Sequence, residues 1–233
     1  KYLFILSLLT LASTQEIILV PQDYPTIQSA INSSNDNDTI LVSSGTYYEN
    51  INYNGKNISI IGESRETTFI DGSLPNPDDN SSVVTFNNGE NDLAIIEGFT
   101  IMNGNNTYGG GLYIDNANPN IRNLYITNNT SIGGGGAGIF CLDANPILVN
   151  VDIFNNNSDD VGGGIYLKGN SDAEFYNIAI YNNYGEGAGG GIFVRDDSEP
   201  YFDHVTIIFN ETNTWGGGIA GKYGVDIKIT NSI

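Results

Sequence analysis

The fold is decided by the stretch Gly136-Ala137-Gly138-Ile139-Phe140-Cys141-Leu142-Asp143-Ala144-Asn145-Pro146, which runs on as Ile147-Leu148-Val149-Asn150-Val151-Asp152-Ile153-Phe154-Asn155-Asn156. It recurs. The glycine cluster and its following aliphatic residue appear as Gly109-Gly110-Gly111-Leu112, Gly136-Ala137-Gly138-Ile139, Gly162-Gly163-Gly164-Ile165, Gly189-Gly190-Gly191-Ile192 and Gly216-Gly217-Gly218-Ile219. The aliphatic positions are spaced 27, 26, 27 and 27. Pro119, Pro146, Ala173 and Pro200 keep the same period, as do Ile126, Ile153, Ile180 and Ile207. Independent columns with one period are the signature of a repeat architecture.

Within a unit the local period is two. Val151 and Ile153 flank Asp152, and Val205 and Ile207 flank Thr206. Such alternation means strands with one buried face, and the Gly and Asn content leaves no room for a helix. A strand-only unit must bury its inner face on its neighbours, so the units coil and stack in register. The sequence therefore predicts an all-β fold, a right-handed parallel β-helix of about 27 residues per coil. Stacked coils turn each column into a ladder. Asn128, Asn155 and Asn182 are assigned to an inward Asn ladder, with Asn210 one residue late and a bulge expected there. His204 falls in the column of Asn123, Asn150 and Asn177, and reads as a polar substitute. Cys141, in the column of Ile114, Leu167 and Val194, reads as a buried thiol.

Upstream the repeat loosens. Thr39–Val42, Ile51, 58–62, 68–72, 83–86 and 95–101 read as strands, and 73–82 as a protruding loop. Before them, Tyr24-Pro25-Thr26-Ile27-Gln28-Ser29-Ala30-Ile31 places Ile27, Ala30 and Ile31 on one helical face. That is a short amphipathic helix capping the coil stack, with Pro25 in its first turn. Residues 1–14 read as a secretory signal peptide, a lone Lys ahead of an apolar run too short to span a bilayer. The expected organisation is a signal peptide at 1–14, a cap at 15–37 and the β-helix at 38–233, truncated at its C-terminus because no polar cap follows. Location is then secreted or on the outer cell surface, with no transmembrane helix in the mature chain.

The chain has 233 residues, with 27 acidic against 8 basic side chains and a net charge of −19. That excludes nucleic acid, which needs clustered Lys and Arg. With one Cys and one His, no intrachain disulfide can form and the composition argues against Cys/His metal sites. No cofactor is called for. The scattered carboxylates, lacking dense ligand spacing, allow weak Ca²⁺ binding at most.

Residues 23–72, with YPTIQSAI, TILVSSGTYYENI and ISIIGESRETTFIDG, resemble the N-terminal part of pectin methylesterases and other secreted β-helix proteins of the pectate-lyase-like superfamily. Residues 109–233, with GGGI and then aromatic-x-Asn, resemble polymorphic outer membrane protein repeats. The resemblance to the esterases implies two Asp, a Gln and an Arg on one face. Their Gln-Asp-Thr and Asp-Phe-Ile-Phe-Gly motifs are absent, and Gln occurs only at 15, 22 and 28. Polygalacturonase-like hydrolysis needs paired carboxylates, and the pairs Asp78-Asp79, Asp159-Asp160 and Asp196-Asp197 sit in turn-like stretches. A lyase base would have to be Arg195, beside Asp196, Asp197 and Asp203. No catalytic residue and no metal ligand is assigned.

One surface feature is. Tyr113, Phe140, Tyr166 and Phe193 follow the inward Leu112, Ile139, Ile165 and Ile192, so alternation points them outward. They form an aromatic ladder, a candidate surface for stacking sugar rings or docking a cell-surface partner; rungs stacking on each other is the simpler account. The sequence thus reads as a secreted or cell-surface, non-catalytic β-helix, adhesive or polysaccharide-binding. The alternative is a polysaccharide-active enzyme, pectate lyase or pectinase-like.

Overall fold

The computed structural model describes residues 15–74 and 82–233. The signal-peptide assignment, most of the loop at 73–82 and the Asp78-Asp79 pair lie outside these residues. Among the described residues all strand pairing is parallel, as a β-helix requires. The largest sheet passes through Ile17–Val20, Thr39–Val42, Ser59–Gly62, Ile95–Glu97, Asn120–Thr127, Ile147–Phe154, Glu174–Tyr181, Tyr201–Ile208 and Lys228–Thr230. A second sheet carries the glycine-aliphatic strands from Ile51–Asn52 to Ile219–Lys222. A short third one links Asn105–Tyr108, Thr130–Gly135, Asn157–Ser158 and Tyr184–Gly185. The chain is a right-handed parallel β-helix, and Ile126 pairs with Ile153 and Ile153 with Ile180, one period apart.

The interior is the stacked aliphatic columns. Ile126, Ile153 and Ile180 are fully buried, and so is Cys141, whose thiol burial pushes well up and out of the reactive range. The inward Asn ladder is real, but it is Asn129, Asn156, Asn183 and Asn210, not the residues before them. Asn129 N and Nδ2 both donate to Asn156 Oδ1 at 3.0 Å, and Asn156 Nδ2 donates to Asn183 Oδ1 and to Ile126 O at 3.0 Å. Asn183 Nδ2 in turn donates to Asn210 Oδ1 at 2.9 Å. Asn210 is therefore in register, and the expected bulge is absent. Asn128, Asn155 and Asn182 are corners outside the core, with φ of 56°, 56° and 54°. Asn occupies them because its short polar side chain tolerates the left-handed region. The same holds for Asn123, Asn150 and Asn177, and His204 takes that conformation in their column (φ 54°).

The helix covers Ile27–Ser33 and buries Ile27, Ala30 and Ile31 against the first coil, the face read from sequence. Thr26 is its N-cap, so Pro25 lies before the helix rather than in its first turn. Glu49 accepts hydrogen bonds from Ile27 N and Gln28 N, both at 2.9 Å. At the other end Lys56 Nζ donates to the carbonyls of Ile31, Asn32 and Ser34. The strand Ile17–Val20, unread in the sequence of the cap, pairs with Thr39–Val42 and starts the largest sheet.

Candidate functional site

The aromatic column was expected on the surface. Phe140, Tyr166 and Phe193 instead show 2%, 4% and 3% exposure, and Tyr113 is half-buried. They do point away from the coil interior, but the third sheet and the turns beside it fold back over them. A second apolar cluster results, with Ala188, Ala220, Tyr108, Leu142 and Val161 packed in. The glycines make this cover possible: a Cβ on Gly135 would lie 2.5 Å from Val161 O and 2.8 Å from the Tyr166 ring. Within the cluster the rungs contact each other, Phe140 to Tyr166 at 5.2 Å and Tyr166 to Phe193 at 5.4 Å, both edge to face. These are arrangements that favour ring pairs. The ladder stiffens the coil stack, and three of its four rings are closed to a ligand.

The Arg195 neighbourhood is split by the fold. Arg195 ends a strand of the second sheet and pairs with Asp196 at 2.8 Å. Asp203 lies on the largest sheet, hydrogen-bonded to Thr230, Asn231 and His204, and the first two of these bonds hold its carboxyl below the usual range. Asp159 accepts from Gly133 N at 2.6 Å, a turn role. Burial raises the Asp160 carboxyl, Asp159 adds repulsion and Arg195 opposes both. Among the described residues no group of three or more His, Cys, Asp or Glu side chains is placed to hold a metal ion.

A convergent set does occur, on the outer face of the largest sheet. In the upstream coils this sheet is broken: Ser59–Gly62 and Thr68–Asp71 are separate strands, joined by a turn at 63–67. In the next coil the break narrows to Gly98 (φ 80°) and Phe99, between Ile95–Glu97 and Thr100–Met102, and at Asn123 (φ 49°) it is a kink inside the single strand Asn120–Thr127. The 63–67 turn therefore overhangs its neighbours, and the Thr100 hydroxyl ties it down by donating to Arg65 O at 2.6 Å. Arg65 then reaches along the coils. Its Nη1 donates to Asn150 O at 3.3 Å, and its guanidinium sits 4.1 Å from the centroid of Tyr125, a cation–π distance.

Beside Tyr125 in register is Asp152, and in the next outward column Phe154 pairs with Tyr181. Those two rings are parallel, centroids 5.0 Å apart, and Tyr125 meets Phe154 edge-on at 6.0 Å. The stacked rings turn faces towards each other, so the surface presents ring edges, the Tyr181 hydroxyl and the Asp152 carboxylate. Neither of these two polar groups has a hydrogen-bond partner among the described residues. Burial raises the Asp152 carboxyl above the ordinary aspartate range, and the Arg65 charge only partly offsets it. Burial also raises the Tyr181 phenol, with Asp152 adding to the effect. Glu66 moves the other way: the Ser64 hydroxyl bond is the largest cause holding it down, and Arg65 contributes. Sequence reading missed this set because Arg65 occurs once, outside the period. The signal that could have found it is Asp152, an acidic residue where the neighbouring coils place Tyr125, Ala179 and Thr206.

Comparison of structures gives the same architecture in other proteins. Pectin methylesterase PemA from Erwinia chrysanthemi superposes with a TM-score of 0.51, at 14% identity, over 90% of this chain and 81% of that one. A point mutant of a pectin methylesterase, in complex with a hexasaccharide, gives a TM-score of 0.49, also at 14% identity and with the same 90% and 81% coverage. At that identity the likeness to PemA shows the fold alone. Among curated proteins no sequence matches. No helix of the described residues is long and apolar enough to cross a membrane. The right-handed β-helix region model matches residues 78–233, two-thirds of the sequence and all of the regular coils, and the chain belongs to that family.

Proposed function

We propose that the protein is a non-catalytic, polysaccharide-binding β-helix acting outside the cell, and that the glycan lies on the Arg65–Tyr125–Asp152–Tyr181 face. The observation that carries this is the unpartnered Asp152 carboxylate and Tyr181 hydroxyl, side by side on an aromatic-edged surface. A carboxylate that accepts and a phenol that donates or accepts match the hydroxyls of a sugar, and the ring edges beside them supply apolar contact. Net charge of −19 opposes a polyanion, so the favoured ligand is a neutral polysaccharide rather than a polyuronate. The superposition on pectin methylesterase PemA agrees with glycan handling without assigning a reaction. The test is affinity electrophoresis in gels containing soluble neutral or acidic polysaccharides. A neutral polymer retards the wild type, and Asp152→Asn and Tyr181→Ala each abolish most of the retardation. Unretarded migration of folded wild type in every polymer would remove this reading.

One observation favours a second reading, polysaccharide cleavage. Asp152 and Glu66 both neighbour Arg65, and their environments push their carboxyls in opposite directions, the pattern of an acid and a base with separate roles. Chromatography of polymer size after incubation decides between them: shortening by wild type, lost in Asp152→Asn, selects the enzyme.

A further inference from the structure

The column Asn128, Asn155, Asn182 has a fourth member that breaks its chemistry. Phe209 holds the same left-handed corner, at φ 56°. Asn suits that conformation; a bulky ring does not, and strain of this kind persists where the side chain is put to use. Phe209 is 76% exposed, at the corner where Asn128, Asn155 and Asn182 are exposed in coils with neighbours on both sides. It borders a depression of about 230 Å³ lined also by Asn182, Asn183, Tyr184 and Glu211. Asn183 is committed to the internal ladder. The side chains of Asn182, Tyr184 and Glu211 form no hydrogen bond among the described residues, so an amide, a phenol and a carboxylate surround the exposed ring unpaired.

We propose that this corner is a second saccharide subsite, in which the Phe209 ring carries the C–H face of a neutral pyranose and Asn182, Tyr184 and Glu211 bind its hydroxyls. The assignment rests on the polysaccharide-binding reading above and extends it. Tyr181 and Asn182 are consecutive, so the glycan runs from the Asp152 face round the coil corner to Phe209.

The test is Phe209→Asn, which restores the residue of the other three coils. Relief of strain raises Tm by ~2–4 °C. Calorimetric titration with cellohexaose, maltohexaose and mannohexaose then shows binding weakened roughly tenfold relative to wild type. Asp152→Asn is titrated alongside. A higher Tm with unchanged affinity in Phe209→Asn, while Asp152→Asn loses binding, overturns the subsite and leaves the first face standing. Failure of wild type to bind any of the three sugars overturns the polysaccharide reading and this subsite together.

Discussion

The coils downstream of residue 104 and those upstream obey the same stacking rule with different results. Downstream, the inward columns repeat, each eight-residue strand of the largest sheet continues through a kink, and an Asn at one inward position hydrogen-bonds its counterparts above and below. Upstream, strands are shorter and broken, no Asn ladder exists among the described residues, and the polar groups are satisfied one at a time: Glu49 and Lys56 at the helix ends, and Glu90 accepting from Gly55 N and Asn88 N. Regularity gives cooperative stability but a monotonous surface. Irregularity lets a turn such as 63–67 overhang and place Arg65 where no repeat could.

The sharpest break in that comparison comes from the regular half. Ile153 is fully buried and paired in register with Ile126 and Ile180. Ile153→Asp puts a carboxylate there with no partner, at a cost of at least ~5 kcal/mol. Loss of the β-sheet circular dichroism and of a cooperative melt is expected. A melt like that of wild type would show that the column does not face inward.

Next comes the ladder. Asn156→Ala deletes four hydrogen bonds and leaves the buried Asn129 N without its acceptor, a loss of about 3–5 kcal/mol. The upstream counterpart is local. Thr26→Ala removes a helix cap, worth about 1 kcal/mol, while Glu49 still holds the first two N–H groups. Denaturant melts of the two variants compare the halves directly: a Thr26→Ala loss as large as that of Asn156→Ala would mean the cap, not the ladder, governs the stack.

The period, the strand columns, the helix face and the buried thiol are legible in the sequence, because stacking writes each spatial neighbour one repeat away. Two of the assignments that failed show why. Asn128-Asn129, Asn155-Asn156 and Asn182-Asn183 are pairs in which both members repeat, one as a left-handed corner and one as an inward rung. Periodicity cannot rank them; Phe209-Asn210 does, because only the second keeps its amide. Alternation likewise reports which residues leave the coil interior. It does not report what lies outside, and for Phe140, Tyr166 and Phe193 a further layer of chain lies there. The Arg65 face was illegible because its key contact spans 85 residues and occurs once.

The smallest effect bears on where the two halves meet. Because the folded-state carboxyl of Asp152 is raised by burial, the fold is penalised when that group ionises. The sign follows from linkage: a raised carboxyl favours the folded state at pH values below its unfolded pKa, and that advantage is lost as pH rises through the folded value. Asp152→Asn removes the charge and keeps the shape. Its Tm should exceed that of wild type at pH 7 and converge with it below about pH 3, where the unfolded aspartate is also protonated. The reverse sign, a lower Tm at pH 7 that recovers in acid, would mean that attraction to Arg65 outweighs burial. The overhanging turn would then be stabilising the regular coils electrostatically, and Asp152 would be held ionised for structure rather than left free for a ligand.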